Sequence, residues 1–206
     1  PHDVPGLYDA FGTESFDDLY TSYESDGSIP RKTIGAQELF LDLLKERAET
    51  GRLYIMNIDH CNSHSSFTDK VEMSNLCQEI TLPTKPLNHI DDPNGEIALC
   101  ILSAVNVGKI RDLEDLEVLC DLAVRSLDEL IDFQNYPIRA AEIATKARRS
   151  LGIGYIGLAH YLAKNGQGYS DSGAWKLVHE LSEAFQYYLI QSTVNLAEEK
   201  GACEYS

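Results

Sequence analysis

Asn75, Cys77 and Glu79 stand on alternate residues of the stretch SNLCQEITLPTKPLN, residues 74–88. They bring together an amide that can orient a ligand, a thiol open to redox chemistry and a carboxylate able to act as a base. In an extended chain, side chains at i and i+2 face the same way, roughly 7 Å apart. The three polar groups would then point to one side, with Leu76, Gln78 and Ile80 on the other. A strand with one face in water would read the same way. Two features argue against that reading. An exposed lone thiol oxidises, and Pro83 with Pro86 makes a rigid loop rather than a sheet edge.

The remaining chemistry-bearing residues have plainer readings. Cys100 lies in IALCILSAVNVG (97–108), a nearly all-apolar run expected of a strand covered on both faces. From that context alone it is a small buried hydrophobe, as are Cys120 and Cys203. DHCNSH groups His60, Cys61 and His64, but a structural zinc site needs four ligands in spaced pairs, so these read as satisfied loop residues and no metal is expected. GIGYIG (152–157) fits G-x-G-x-x-G and precedes a helix. The dinucleotide fingerprint requires a hydrophobic strand before its first glycine, however, and here TKARRSL precedes. The glycine run is better read as a strand that packs closely on its neighbours or a ligand. Tyr187 and Tyr188, adjacent on a helix, divide between core and rim.

These groups need elements to hold them. A short helix in DDLYTSYES is followed by a loop. Residues 34–50 form a helix with Leu39, Phe40, Leu43 and Leu44 at helical spacing, stopped by Gly51. RLYIMNIDH (52–60) reads as a strand, and Asn94-Gly95 as a turn. Residues 112–132 form an amphipathic helix with Leu113, Leu116, Leu119, Ala123 and Leu127 inward. A helix to about residue 150 follows, then a strand over LGIGYIG and a helix closed by Gly166. A long helix capped by Asp171 reaches Gly201. The sum is an α/β fold with helices in excess.

Composition narrows the function. With 43% hydrophobic and 24% charged residues the 206-residue chain can bury a core. A net charge of −16 argues against DNA or RNA binding, which needs a local excess of Lys and Arg. No apolar run approaches the ~18 residues of a membrane span, and no signal-peptide pattern opens the chain. Five irregularly spaced cysteines fit a reducing cytoplasm better than a disulfide framework. The absence of an initial Met and the end just after a helical pattern suggest a piece of something longer.

SNLCQEI, followed by PTKPLN and then by NGEIALCILSAVNVG, resembles the large catalytic subunit of class I ribonucleotide reductase, of the aerobic bacterial or phage type. PHDVPGLYDAF, GRLYIMNIDHCN, RRSLGIGYIG with YLAKNG, and EAFQYYL with KGAC extend the similarity over the whole chain in the family's order. The resemblance implies part of a ten-stranded α/β barrel around the junction of two half-barrels, threaded by a central finger loop. Residues 1–60 would supply helices and the end of the first half-barrel, 61–96 the finger-loop region, and 97–206 the start of the second. By the same resemblance Cys77 would carry a transient thiyl radical that removes the ribose 3′ hydrogen. Glu79 would take the 3′-hydroxyl proton, and Asn75 would hold the reacting hydroxyls. Cys100 would be one of two thiols that deliver reducing equivalents as the 2′-hydroxyl leaves as water.

No cofactor is expected in this chain itself. The full enzyme would act on ribonucleoside diphosphates. It would need the remaining large-subunit segments, a radical-generating metal-containing small subunit, nucleotide effectors and a thioredoxin- or glutaredoxin-type reductant. The segments carrying the partner of Cys100, the nucleotide-binding cone, the radical-relay tyrosines and the C-terminal redox cysteines have no counterpart here. Alone the chain is expected to be inactive and prone to self-association through open strand edges. The competing reading is a non-catalytic remnant or split-gene piece that acts only by assembling with complementary chains.

Overall fold

Helix-forming runs separated by glycine and proline account for the first part of the chain. The computed structural model describes residues 2–75 and 77–206, so the expectation for Leu76 lies outside it. The chain divides into two units, one ending at Thr84 and the other running Lys85–Ser206.

The first unit carries α1 (Leu7–Ala10), α2 (Ser15–Ser25), α3 (Ala36–Thr50) and α4 (Ile58–Ser63). Gly51 ends α3 in the left-handed region at φ 66°, its N–H donating to Arg47 O at 2.9 Å. The apolar residues of α3 stay open, with Phe40 57% exposed. The strand expected over residues 52–60 does not form: 52–57 have no regular structure, and Ile58 opens α4. A β-prone run needs a ladder partner, and among the described residues it has none. Ile58, Val71 and Pro83 are buried here.

The second unit holds the main core. It runs β1 (Ile101–Asn106), a 3-10 turn (Val107–Lys109), α5 (Asp115–Phe133), α6 (Arg139–Arg148), β2 (Leu151–Ile156), α7 (Leu158–Lys164) and α8 (Ser172–Lys200). The strands pair in parallel from Ile101↔Leu151 to Asn106↔Ile156, with α5 and α6 forming the connection that a parallel pair requires. Val105, Val107 and Ile110 pack with Leu116 and Cys120 of α5 and with Leu181 and Phe185 of α8. Burial pushes the Cys120 thiol up to about 11, as suits a small hydrophobe.

Three details depart from the sequence reading. The buried stripe of α5 is Leu116, Cys120, Val124, Leu127 and Ile131, while Leu119 is exposed. Positions 116, 120, 124, 127 and 131 follow the helical period closely, and Leu119 falls off that stripe. Next, β1 is covered on one face only: Val105 is buried, whereas Leu102 is 59% exposed and Ala104 and Asn106 are open. The run of apolar letters therefore marks one face on the helices and a second, open apolar face. Finally, Asp171 precedes α8 as expected, but its carboxylate accepts from Gly168 N at 2.6 Å rather than from the helix amides. The α/β class, the strand over the glycine run and the long last helix are as the sequence implied. So is the division of Tyr187, exposed, from Tyr188, packed on the core.

Candidate active site

Within the first unit, the Cys77 segment is held by side chains that stand in for backbone partners. Asn62, at the end of α4, accepts from Val71 N with Oδ1 (2.7 Å) and donates with Nδ2 to Val71 O (2.8 Å) and Ile58 O (2.9 Å). Three residues on from that anchor the chain makes a tight turn. Gln78 N donates to Asn75 O at 3.0 Å, and Ile80 N donates to Asn75 Oδ1 at 3.0 Å. The Ser74 hydroxyl lies 2.5 Å from Ile80 O and 3.1 Å from Asn75 Oδ1. Gln78 takes a left-handed conformation, φ 58°, which costs a non-glycine residue about 1 kcal/mol or more and persists only where the surroundings fix it.

The extended backbone expected here is thus replaced by a turn closed by Asn75, an amide well suited to capping a reversal. The side chains still alternate in exposure. Asn75, Cys77 and Glu79 are exposed, whereas Gln78 and Ile80 are half-buried. The turn therefore presents an amide, a thiol and a carboxylate on its open side. Because Asn75 Oδ1 is engaged within the loop, its amide nitrogen is the end suited to donate to a ligand.

Cys100 belongs to the second unit, one residue before β1. It is half-buried, its Sγ 3.7 Å from Ile101 O. Across the strand pair, a Cβ on Gly152 would lie 2.5 Å from Leu102 Cδ2 and 3.0 Å from Cys100 Sγ. Glycine is what lets β2 pass this close to the thiol, the close-packing role anticipated for the glycine run. Gly157 closes the same run at φ 81°, where a Cβ would meet Asn106 Oδ1 at 2.5 Å. His64 Nδ1 pairs with Ser63 Oγ (2.8 Å) and lies 3.1 Å from His60 O. No cluster of His, Cys, Asp and Glu suited to a metal occurs among the described residues.

Sequence reasoning missed two residues that shape these segments. Asn62 sat inside a cluster weighed only for metal binding. Glu96, in NGEIALC, is a lone acid entering an apolar run, and that is the signal that could have flagged it. Its side chain is only 4% exposed, and it accepts from Arg148 Nη2 at 3.0 Å, from Tyr205 Oη at 3.0 Å and from Lys85 Nζ. Burial pushes its carboxyl up, but hydrogen bonds from these three donors outweigh that and hold it below the ordinary carboxylate range.

The family model described as "Ribonucleotide reductase, barrel domain" matches residues 1–205. The chain belongs to the ribonucleotide reductase family. It is 59% identical over its whole length to the ribonucleoside-diphosphate reductase subunit alpha of Haemophilus influenzae, covering 28% of that protein. Against ribonucleoside-diphosphate reductase 1 subunit alpha of Escherichia coli it is 56% identical over 98% of the chain and 27% of the relative. Against the phage T4 subunit alpha it is 40% identical over 100% of the chain and 28% of the relative. A solved structure, the class Id ribonucleotide reductase alpha subunit of Actinobacillus ureae, superposes with a TM-score of 0.66 at 24% identity, over 92% of this chain and 35% of that one. That likeness supports the fold. The helix-rich units and their small parallel sheet are part of a reductase barrel, and the chain spans little more than a quarter of the length of the curated relatives it matches. No helix among the described residues is long and apolar enough to cross a membrane.

Proposed function

We propose that this chain carries the radical-bearing loop and one reducing thiol of a ribonucleoside-diphosphate reductase large subunit. The family match over residues 1–205, within which the Asn75–Glu79 turn falls, carries the reading. Cys77, exposed at the turn, takes the ribose 3′ hydrogen as a thiyl radical. Glu79, two residues on, accepts the 3′-hydroxyl proton, and the Asn75 amide donates to the sugar hydroxyls. Cys100 and a second thiol outside this chain together give two electrons and become a disulfide as the 2′-hydroxyl leaves as water. Such chemistry needs a dry site, so the open side of the turn must be covered by other parts of the subunit. Residues 1–60 close a first half-barrel, 61–96 form the finger-loop region and 97–206 begin the second half-barrel.

The full enzyme draws its radical from a metal-containing small subunit and its electrons from a thioredoxin- or glutaredoxin-type reductant. It responds to nucleotide effectors and works in the cytoplasm. The isolated chain does not turn over. The test is to assay nucleoside diphosphate reduction by a full-length subunit containing this segment, with the small subunit and a dithiol reductant. Cys77→Ser abolishes reduction and Cys100→Ser blocks normal turnover. Reduction surviving Cys77→Ser would sink the mechanism.

A further inference from the structure

Arg149 turns the chain from α6 into β2 at a cost in backbone strain. It follows the last residue of α6 in the left-handed region, φ 47° and ψ 46°, its N–H donating to Thr145 O at 2.8 Å. Helices often end this way, but usually on glycine, because a Cβ strains the left-handed backbone. At this corner the strained residue brings a guanidinium to α5. Nε donates to Asp128 Oδ1 at 2.5 Å, Nη2 to Asp128 O at 2.7 Å and Asp132 Oδ2 at 2.9 Å, and Nη1 to Asp132 Oδ1 at 3.2 Å. Asp128 is only 5% exposed, and its second oxygen accepts from Lys200 Nζ at 3.1 Å. Burial pushes the Asp128 carboxyl up, but hydrogen bonds from Arg149 and Lys200 outweigh that and hold it below the ordinary carboxylate range.

The corner leads directly to the Cys100 thiol. Ser150 O, the next carbonyl, accepts from Ile101 N at 3.3 Å. Ile101 follows Cys100 and pairs with Leu151. Gly152, three residues after Arg149, passes so close that a Cβ there would lie 3.0 Å from Cys100 Sγ. Every link from guanidinium to thiol lies within the Lys85–Ser206 unit. A buried ion pair is a poor way to gain stability, since desolvation offsets most of the attraction; its better-attested use is to fix one arrangement of the chain. A planar guanidinium fork on two carboxylates fixes position more sharply than a point charge would. We infer that Arg149 is a positioning residue for Cys100: anchored on Asp128 and Asp132 of α5, it sets where β2 begins and so where Gly152 meets the thiol. Only the effect on turnover rests on Cys100 being a reducing thiol; the geometry stands apart from it.

The experiment uses the reduced full-length subunit containing this segment and three variants. Arg149→Gly suits the left-handed backbone but removes the guanidinium. Arg149→Lys keeps a charge beside Asp128 but not the fork. Arg125→Met cuts a comparable ion pair whose partners, Asp121 and Glu199, lie on α5 and α8. Alkylation rates of Cys100 and Cys120 are followed by mass spectrometry, alongside kcat and KM with the small subunit and a dithiol reductant. Cys120, fully buried in the core, reports any global opening. Both Arg149 variants change the Cys100 rate severalfold and leave the Cys120 rate as in the wild type. Their kcat falls about tenfold or more with KM nearly constant, because misplacement by about 1 Å is enough for such losses. Arg125→Met changes neither alkylation nor turnover. A Cys100 rate unchanged in both Arg149 variants, or raised together with that of Cys120, would overturn the proposal. So would an equal change at Cys100 in Arg125→Met. If the glycine variant does not fold, the lysine variant alone decides. Normal turnover by Cys100→Ser would remove the functional reading, and the alkylation rates would still decide the positioning.

Discussion

The Cys77 turn and the β1–α5–α8 core are built by opposite means. The core excludes water: Leu116, Cys120 and Leu181 have no exposed surface and pack among apolar side chains. The turn is exposed, and its shape comes from Asn75, Ser74 and Asn62, each replacing a backbone partner with a side chain. A packed core resists perturbation through many weak contacts. A side-chain-closed turn depends on a few hydrogen bonds, each removable by one substitution. That suits a loop whose exposed groups must be held without being buried.

The largest break of this contrast is Leu181→Ala, which leaves a cavity between α8 and α5. It lowers stability by about 2–5 kcal/mol, read as a fall in Tm or denaturant midpoint, with the Ile80 amide no more mobile than the rest of the chain. Gly152→Ala comes next. Its Cβ pushes on Leu102 Cδ2 and Cys100 Sγ and costs about 1–3 kcal/mol, with an altered Cys100 alkylation rate as its specific mark. Asn75→Ala opens the turn alone. It loses about 1 kcal/mol, seen as faster hydrogen exchange at Ile80 N with Tm hardly moved.

The smallest effect is set by pH. Asp92 is held at about 2, first by the Asn88 backbone amide, then by Asn94 N and the Asn88 side chain. Its folded-state value lies below the unfolded one, so its stabilisation is complete above about pH 4 and is lost as pH falls through about 2. Amides of residues 88–95 therefore loosen over that window, and Asp92→Asn removes the dependence. Loss of the same amides at pH 6 would contradict it.

Much of this was legible from residue pattern alone. Leucines at helical spacing gave α3 and α5, the span from Asp171 to Gly201 gave α8, Gly51 and Gly166 gave stops, and the apolar glycine run gave β2. What stayed hidden depends on partners distant in sequence. Residues 52–57 have strand-forming letters but, among the described residues, no strand to pair with. Leu102 reads as core because hydropathy does not say which face is covered. The turn at Asn75 was missed because alternation in sequence matches alternation in exposure whether the backbone is extended or folded back. Glu96 was missed because its partners, Lys85, Arg148 and Tyr205, are brought to it only by the fold. The similarity to a reductase barrel was carried by Asn75-x-Cys77-x-Glu79 and NGEIALC, local strings that need no tertiary information.

The parallel pairing of β1 with β2 also sets an order of events during synthesis. Among the described residues the ladder partner of Ile101 is Leu151, which leaves the ribosome well after it, and the α8 side chains that seal the inner face of β1 emerge later still. Contacts this far apart in sequence form slowly, because a long loop must close first. Until then the inner face of β1 beside Cys100 lacks its α8 cover. Early chaperone engagement and delayed thiol protection are the kinetic signature of that topology.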